Sequence, residues 1–324
     1  MKPWLPPLIA LAFAAVVPAF TATAHTQTLV ILAMISALNV LGMHVIFGLT
    51  GILSIAQAAF WGIGAYTAAI LTADYGAPFL LGFVAATVVA ALAGVALGAP
   101  TLRLKTHYLV LATIAFAEVA RQVLTNWASV TRGPQGFPGI PRAEILGFTL
   151  TTRTQNYYLA FVVLTLVVLA LLALRNSRLG RAMEAVRDDA LAAEAMGINV
   201  TYVRILAFSI SAALGGMAGS IYAHMRQFVS PDSFDLHAAV FFLLMLLIGG
   251  RRSITGGIIG AFIVTFLPEW LRAIQNWDMT IFGIGLLLIL IFASEGIAGT
   301  VSSLVRRLRQ RSRTAEAAAG GGGP

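Results

Sequence analysis

The sequence predicts an all-α fold, a polytopic transmembrane helical bundle with about ten spans. Three observations predict it. Of the 324 residues, 59% are hydrophobic and only 10% are charged, too few charges to solvate a globular surface of this size. The apolar residues gather into runs close to the roughly 20 needed to cross a hydrocarbon core ~30 Å thick, and the mean hydropathy is +0.88. The basic excess, 21 Lys and Arg against 13 Asp and Glu for a net charge of +8, punctuates those runs instead of forming a nucleic-acid patch. Composition therefore argues against a water-soluble enzyme and against a nucleic-acid partner. With no cysteine in the chain, a disulfide framework, an iron–sulfur cluster and a thiolate metal site are excluded.

In order, spans are expected near 4–22, 29–47, 54–73, 79–99, 108–126, 156–174, 203–223, 234–250, 255–274 and 280–299. Most breaks between them are turn signals such as Asp74-Tyr75-Gly76-Ala77-Pro78 and Gly249-Gly250; only 127–155 and 175–202 are longer. The chain thus divides into a transmembrane domain over 1–302 and a tail over 303–324, basic at first and then flexible from Ala315 to Pro324. The first span has a second reading, because Lys2, an apolar stretch and Ala22-Thr23-Ala24 resemble a cleavable secretory signal. We expect retention: the run is long enough to span, and the interrupting Pro6, Pro7 and Pro18 suit a helix at least as well.

Ten spans put both termini on one side. Lys2, Arg103, Lys105, Arg175, Arg178, Arg181, Arg187, Arg204, Arg251, Arg252, Arg306, Arg307, Arg309, Arg311 and Arg313 then share one face, which the positive-inside rule makes cytoplasmic. The expected orientation puts both termini and 175–202 inside and 127–155 outside. That outer stretch includes Thr131 to Pro141, too rich in Pro and Gly for a regular element; it suits either contact with another protein or a plain surface loop.

No catalytic constellation is recognisable. His25, His44, His107, His224 and His237 never recur at metal-ligand spacing, so no metal site is expected. The nearest approach to a phosphate loop, Gly98 to Thr106, has Leu104 where the glycine before Lys105 would be needed, so this chain should not hydrolyse ATP.

Residues 175–202 form a charged, helix-prone insert between apolar spans. Asp189 is a potential N-cap, Gly197 a stop, and either one helix or two short helices meeting at Asp188-Asp189 fits the pattern. Met183, Val186, Ala190 and Ala193 make an apolar stripe with Arg181, Glu184 and Asp188 opposite. Such a helix at a membrane's inner face suits docking into a groove on a soluble partner or lying on lipid headgroups.

In this segment Gly180-Arg181, Ala185 to Asp189 and Ala192 to Val200, with Leu206-Ala207-Phe208 following, resemble the cytoplasmic loop of ABC-importer permeases of the branched-chain amino-acid family. Leu49 to Ser54, Ala58 to Phe60, Gly62 to Tyr66, Thr113 to Glu118, Gly133 to Gly136, Ser230 to Phe234 and Leu267 to Trp270 extend the resemblance over nearly the whole chain. It implies a membrane-spanning permease subunit that translocates branched-chain or related amino acids. Two cytoplasmic ATPase subunits, a second permease subunit, whether homologue or second copy, and an extracytoplasmic substrate-binding protein are the implied partners. ATP and Mg would bind those ATPase subunits, and no cofactor this chain. The resemblance also implies an ATPase-coupling loop containing Gly180, Arg181, Arg187, Asp188, Asp189, Glu194, Ala195 and Gly197. The family's Glu-Ala-Ala run is present only as Glu194-Ala195, followed by Met196.

Four polar residues inside apolar spans are candidates for the translocation path. Glu118 and Arg121, three apart on one helical face, either pair with each other or meet a substrate's ammonium and carboxylate. Asn39 and Gln57 suit interhelical hydrogen bonds as well as ligand contacts. Gly48, Gly51, Gly62 and Gly64 are expected to interrupt the second and third spans, either to free backbone groups or to allow close packing. An ion-coupled secondary transporter is the alternative function, with Glu118 as its titrating group.

Overall fold

The computed structural model describes residues 24–101, 106–145 and 147–271. The expected spans near 4–22 and 280–299 and the tail over 303–324 lie outside the described residues. The other eight expected spans are helical. They are α1 (Ala24–Met43), α2 (Gln57–Ala73), α3 (Phe79–Thr101), α4 (Thr106–Asn126), then, after a four-residue α5 (Ala128–Thr131), α6 (Arg153–Asn176). The short α7 (Arg178–Asp188) and α8 (Ala190–Ala195) precede α9 (Val200–Arg226), α10 (Leu236–Gly249) and α11 (Ile254–Leu271). Among the described residues, five helices are long and apolar enough to cross a membrane: Ala24–Leu49, Phe79–Pro100, Tyr108–Asn126, Arg153–Asn176 and Val200–Arg226.

Polar side chains at the helix starts set the boundaries. Thr152 and Gln155 form a reciprocal capping box at α6, Ser177 accepts from Gly180 N at α7, Asn199 from Tyr202 N at α9, and Asp235 from Ala238 N at α10. Each satisfies an amide that has no partner within its own helix.

α1 is the buried centre, wrapped by α6, α9, α10 and α11, while α9 packs along α2 and α3. Small residues let the backbones meet. A Cβ on Gly64 would strike the Gly216 backbone, one on Gly216 would lie 2.5 Å from Ala86 O, and one on Gly219 would strike Trp61 O. This is the close approach that replaces hydrophobic drive between helices in lipid. Gly62 and Gly64 therefore do not break the third span as expected: they sit inside an unbroken α2, Gly62 against Phe234 and Gly64 against α9.

The second span does break. α1 widens into a π-helical segment, His44–Leu49, and the chain turns at Gly51, whose φ of 73° favours glycine. Residues 50–56 then run back without regular structure, mostly buried, until α2 starts beside Asn39 of α1. Irregular backbone at this depth is tolerated where protein covers it. Here Ile52 N donates to Ile46 O at 3.1 Å and Ile55 N to Thr113 Oγ1 of α4 at 3.1 Å.

Two small ribbons qualify the all-α expectation. β1 (Phe137–Pro138) pairs antiparallel with β4 (Phe228–Val229), and β2 (Glu144–Ile145) with β3 (Phe148–Thr149). The stretch from Thr131 to Pro141, expected to lack regular elements, instead contains a 3-10 turn at Gly133–Gln135 and β1. A partner strand about 90 residues away stabilises β1, so no local pattern announces it.

Two ends of the bundle result. At one, Arg132 pairs with Asp74 at 2.7 Å, His25 with Glu269 at 3.0 Å, and β1 meets β4. At the other, α7 lies beside Gly48 with α8 following it, and His44 Nδ1 donates to Arg251 O at 2.8 Å.

Candidate coupling and translocation sites

The 175–202 insert folds as two helices meeting at Asp188-Asp189. Asp189 Oδ1 accepts from Leu191 N at 2.9 Å and Ala192 N at 3.1 Å, capping α8. α8 ends in a Schellman motif: Gly197, with φ 83°, donates its N–H to Glu194 O at 2.9 Å, and Ile198 N donates to Ala193 O at 3.0 Å. Nothing lies within 4 Å of a Cβ on Gly197, so its backbone angle alone calls for glycine. At Gly180 the opposite holds, because a Cβ there would strike Leu174 O; the residue lets α7 fold back on the end of α6.

The arginines tie this unit to the bundle. Arg181 Nη1 donates to Asn176 O at 3.0 Å, and Arg175 Nε lies 3.6 Å from Glu184. Arg187 crosses to the centre: its Nη1 donates to Gly48 O at 3.0 Å, while its Nε and Nη2 hold Asp188 Oδ1, each at 3.0 Å. The unit is thus one body with the π end of the central helix.

The apolar stripe faces the other way from that suggested for partner docking. Met183, Val186 and Ala193 are buried within the core of this chain, and Ala190 packs against it. An amphipathic helix beside a bundle covers its apolar side with its own chain first. The outward apolar groups are instead Leu191, 80% exposed, and Met196, 83% exposed, with the exposed Glu194 and Ala195 between them. Leu191 and Met196 escaped the sequence reading because single apolar residues on a polar face leave no periodic trace.

In α4, Glu118 and Arg121 form a two-pronged pair. Arg121 donates Nη2 to Glu118 Oε1 at 2.7 Å and Nε to Oε2 at 3.1 Å, and Gln122 Nε2 adds a donor to Oε1 at 2.9 Å. Arg121 Nη1 also lies 3.8 Å from Asp232, in a 3-10 turn over Pro231–Phe234. The Glu118 side chain is 49% exposed and that of Arg121 25%. The helix therefore turns a polar patch away from this chain, together with exposed Val119 and Val123.

Asn39 and Gln57 lie elsewhere, buried at the α1–α2–α9 junction. Ser211 Oγ donates to Gln57 Oε1 at 2.9 Å, and Gln57 Nε2 donates to Asn39 Oδ1 and Ser211 O, each at 3.4 Å. The structure does not bring these two together with Glu118 and Arg121 in one cavity. Among the described residues no three His, Cys, Asp or Glu gather as metal ligands.

Apolar helices long enough to cross a membrane, tight glycine contacts between them and a charged helical unit at one end mark a multi-pass membrane protein. Residues 26–292 match the family described as "Branched-chain amino acid transport system / permease component", and the chain belongs to that family. It is 34% identical over 313 residues to the high-affinity branched-chain amino acid transport system permease protein LivM of Escherichia coli (strain K12), covering 90% of this chain and 74% of that one. The LivH permease protein of the same organism is 28% identical over 284 residues, covering 81% and 91%. A probable LivM of Methanocaldococcus jannaschii is 26% identical over 240 residues, covering 65% and 67%. No solved structure matches the chain.

Proposed function

We propose that this permease carries branched-chain or related amino acids inward, powered by ATP and Mg bound on two separate cytoplasmic ATPase subunits. A second permease chain completes the path, and an extracytoplasmic binding protein delivers the substrate. Relatives named as LivM and LivH, both matched by this one sequence, support a pair of homologous permeases. The carrying observation is the α7–α8 unit: Leu191 and Met196 project outward from a body whose other side is tied to α6 and to the centre of the bundle. Apolar knobs on a braced helix pair suit a groove on a soluble partner and transmit its displacement.

On this reading the end carrying Arg175, Arg178, Arg181, Arg187, Arg204, Arg251 and Arg252 faces the cytoplasm, consistent with the positive-inside rule, in a bacterial inner membrane. The polar patch of α4 faces the second permease, where Glu118 and Arg121 border the path; a paired charge turned toward protein avoids the cost of facing lipid. Asn39 and Gln57 hold the helices that frame the path.

The test is uptake of labelled leucine by proteoliposomes holding both permeases and both ATPases, with binding protein added on the receiving face. The expected result is uptake that requires ATP and binding protein, and hydrolysis stimulated by substrate. Uptake by this chain alone, driven by an ion gradient, would overturn it.

A further inference from the structure

Resting on the coupling role proposed above, we infer that Arg187 is the positioning residue through which α7 and α8 control the irregular backbone of residues 50–56. The case starts at the end of the central helix. Its last carbonyls have no helical partners, and each must find a donor. Phe47 O accepts from Gly51 N, and Ile46 O from Ile52 N and Thr50 Oγ1, so the returning strand supplies its own donors for these two. Gly48 O accepts from Arg187 Nη1 instead, a donor that belongs to the coupling unit. A cation at a helix C-terminus is also favoured by the helix dipole.

The grip has a second point. Gly51 packs on the Arg187 stem: a Cβ there would lie 3.0 Å from Arg187 Cγ and 3.6 Å from its Cα. Asp188 holds the guanidinium from the far side, and the Arg187 side chain is only 18% exposed. One side chain thus touches the turn that starts the irregular strand and a carbonyl in the last turn of the π segment. π-helical turns often mark points where a helix yields.

What moves at Gly51 reaches the interior along a short route. Residues 50–56 join the π segment to α2 and bond to Thr113 of α4, the helix bearing Glu118 and Arg121. A shift of α7 would therefore be felt at α4 through this strand. In this reading Leu191 and Met196 receive the push, and Arg187 passes it inward.

The test uses the complete complex in proteoliposomes and exploits the lack of native cysteine. A single cysteine at Ile55 reports strand accessibility to a maleimide, with and without vanadate-trapped nucleotide. Transport per ATP hydrolysed is measured in the same samples. In the parent, trapping is expected to change the labelling rate. Arg187→Ala should abolish that change and lower transport per ATP by about tenfold, the scale of one lost charge-assisted hydrogen bond.

Arg187→Lys, which keeps the cation but loses the fork, should fall between. Gly51→Ala strains the other side of the same contact, and the double variant should be no worse than the more impaired single one. Arg252→Ala, exposed and outside both this contact and the α7–α8 unit, should match the parent. Parent-like labelling and stoichiometry in Arg187→Ala would overturn the inference. A parent without ATP-dependent uptake would instead overturn the coupling role on which it rests.

Discussion

Single residues in this permease are constrained by two unequal forces. Gly64 meets the Gly216 backbone, and no rotamer change relieves a backbone collision. Ser211 donates one buried hydrogen bond to Gln57, and such bonds between membrane helices average only about 0.6 kcal/mol. Gly64→Leu should therefore prevent recovery of folded protein from detergent extracts, whereas Ser211→Ala should lower the thermal midpoint by a degree or two at most. Size-exclusion profiles and melting curves read both; a larger loss for Ser211→Ala would mean that the Asn39–Gln57–Ser211 network carries more than pairwise strength. Glu118 and Arg121 pose a different case, because each neutralises the other inside an apolar span. Arg121→Gln leaves Glu118 as an isolated ion, at roughly 2.5–3.5 kcal/mol on insertion scales. The double variant Glu118→Gln with Arg121→Gln should recover most of the lost melting temperature. Uptake by that double variant, measured with the partner permease present, should remain low if these groups border the path.

At the scale of elements, the α7–α8 unit allows the folding and docking roles of apolar residues to be separated. Met183 is fully buried, so Met183→Glu should destabilise the chain itself, while Leu191→Glu and Met196→Glu place a charge where the side chain is already outside. Burying one such side chain against a partner is worth about 1.5–3 kcal/mol, so each exposed variant should weaken ATPase association at least tenfold with an unchanged melting curve. Quantitative co-purification measures the first and differential scanning fluorimetry the second; association intact in both variants would move the docking surface elsewhere. The contrast also shows what the sequence could reveal. Periodicity identified the stripe of Met183, Val186 and Ala193, and capping chemistry identified Asp189 and Gly197. Which way the stripe turned was not legible, since it depends on how α6, α9 and the distant π segment at His44–Leu49 gather around α7. The glycines show the same limit. Gly51 marks a true break whereas Gly48, Gly62 and Gly64 mark contacts, and only the elements opposite them decide which. Thr113 of α4 bonds Ile55 N from 58 residues away, so the support beneath the irregular strand was equally invisible.

For the whole molecule the arrangement of charge yields a prediction about orientation. At one end the described arginines Arg175, Arg178, Arg181, Arg187, Arg204, Arg251 and Arg252 outnumber the acidic Glu184, Asp188, Asp189 and Glu194, while at the other end arginines meet Asp74 and Asp232. Net positive charge resists translocation, so the first end should face the cytoplasm. Because the chain has no cysteine, each introduced thiol is a unique reporter. Tyr75 and Phe148, each 77% exposed, lie at the end bearing the ribbons, and Arg252 is exposed at the opposite end. An impermeant maleimide applied to spheroplasts should label Tyr75→Cys and Phe148→Cys, and reach Arg252→Cys only after the membrane is opened. The inverse pattern would place α7 and α8 outside the cell, where no ATP-driven subunit could grip Leu191 and Met196. Labelling of all three from outside would instead indicate that the bundle does not span as a single body.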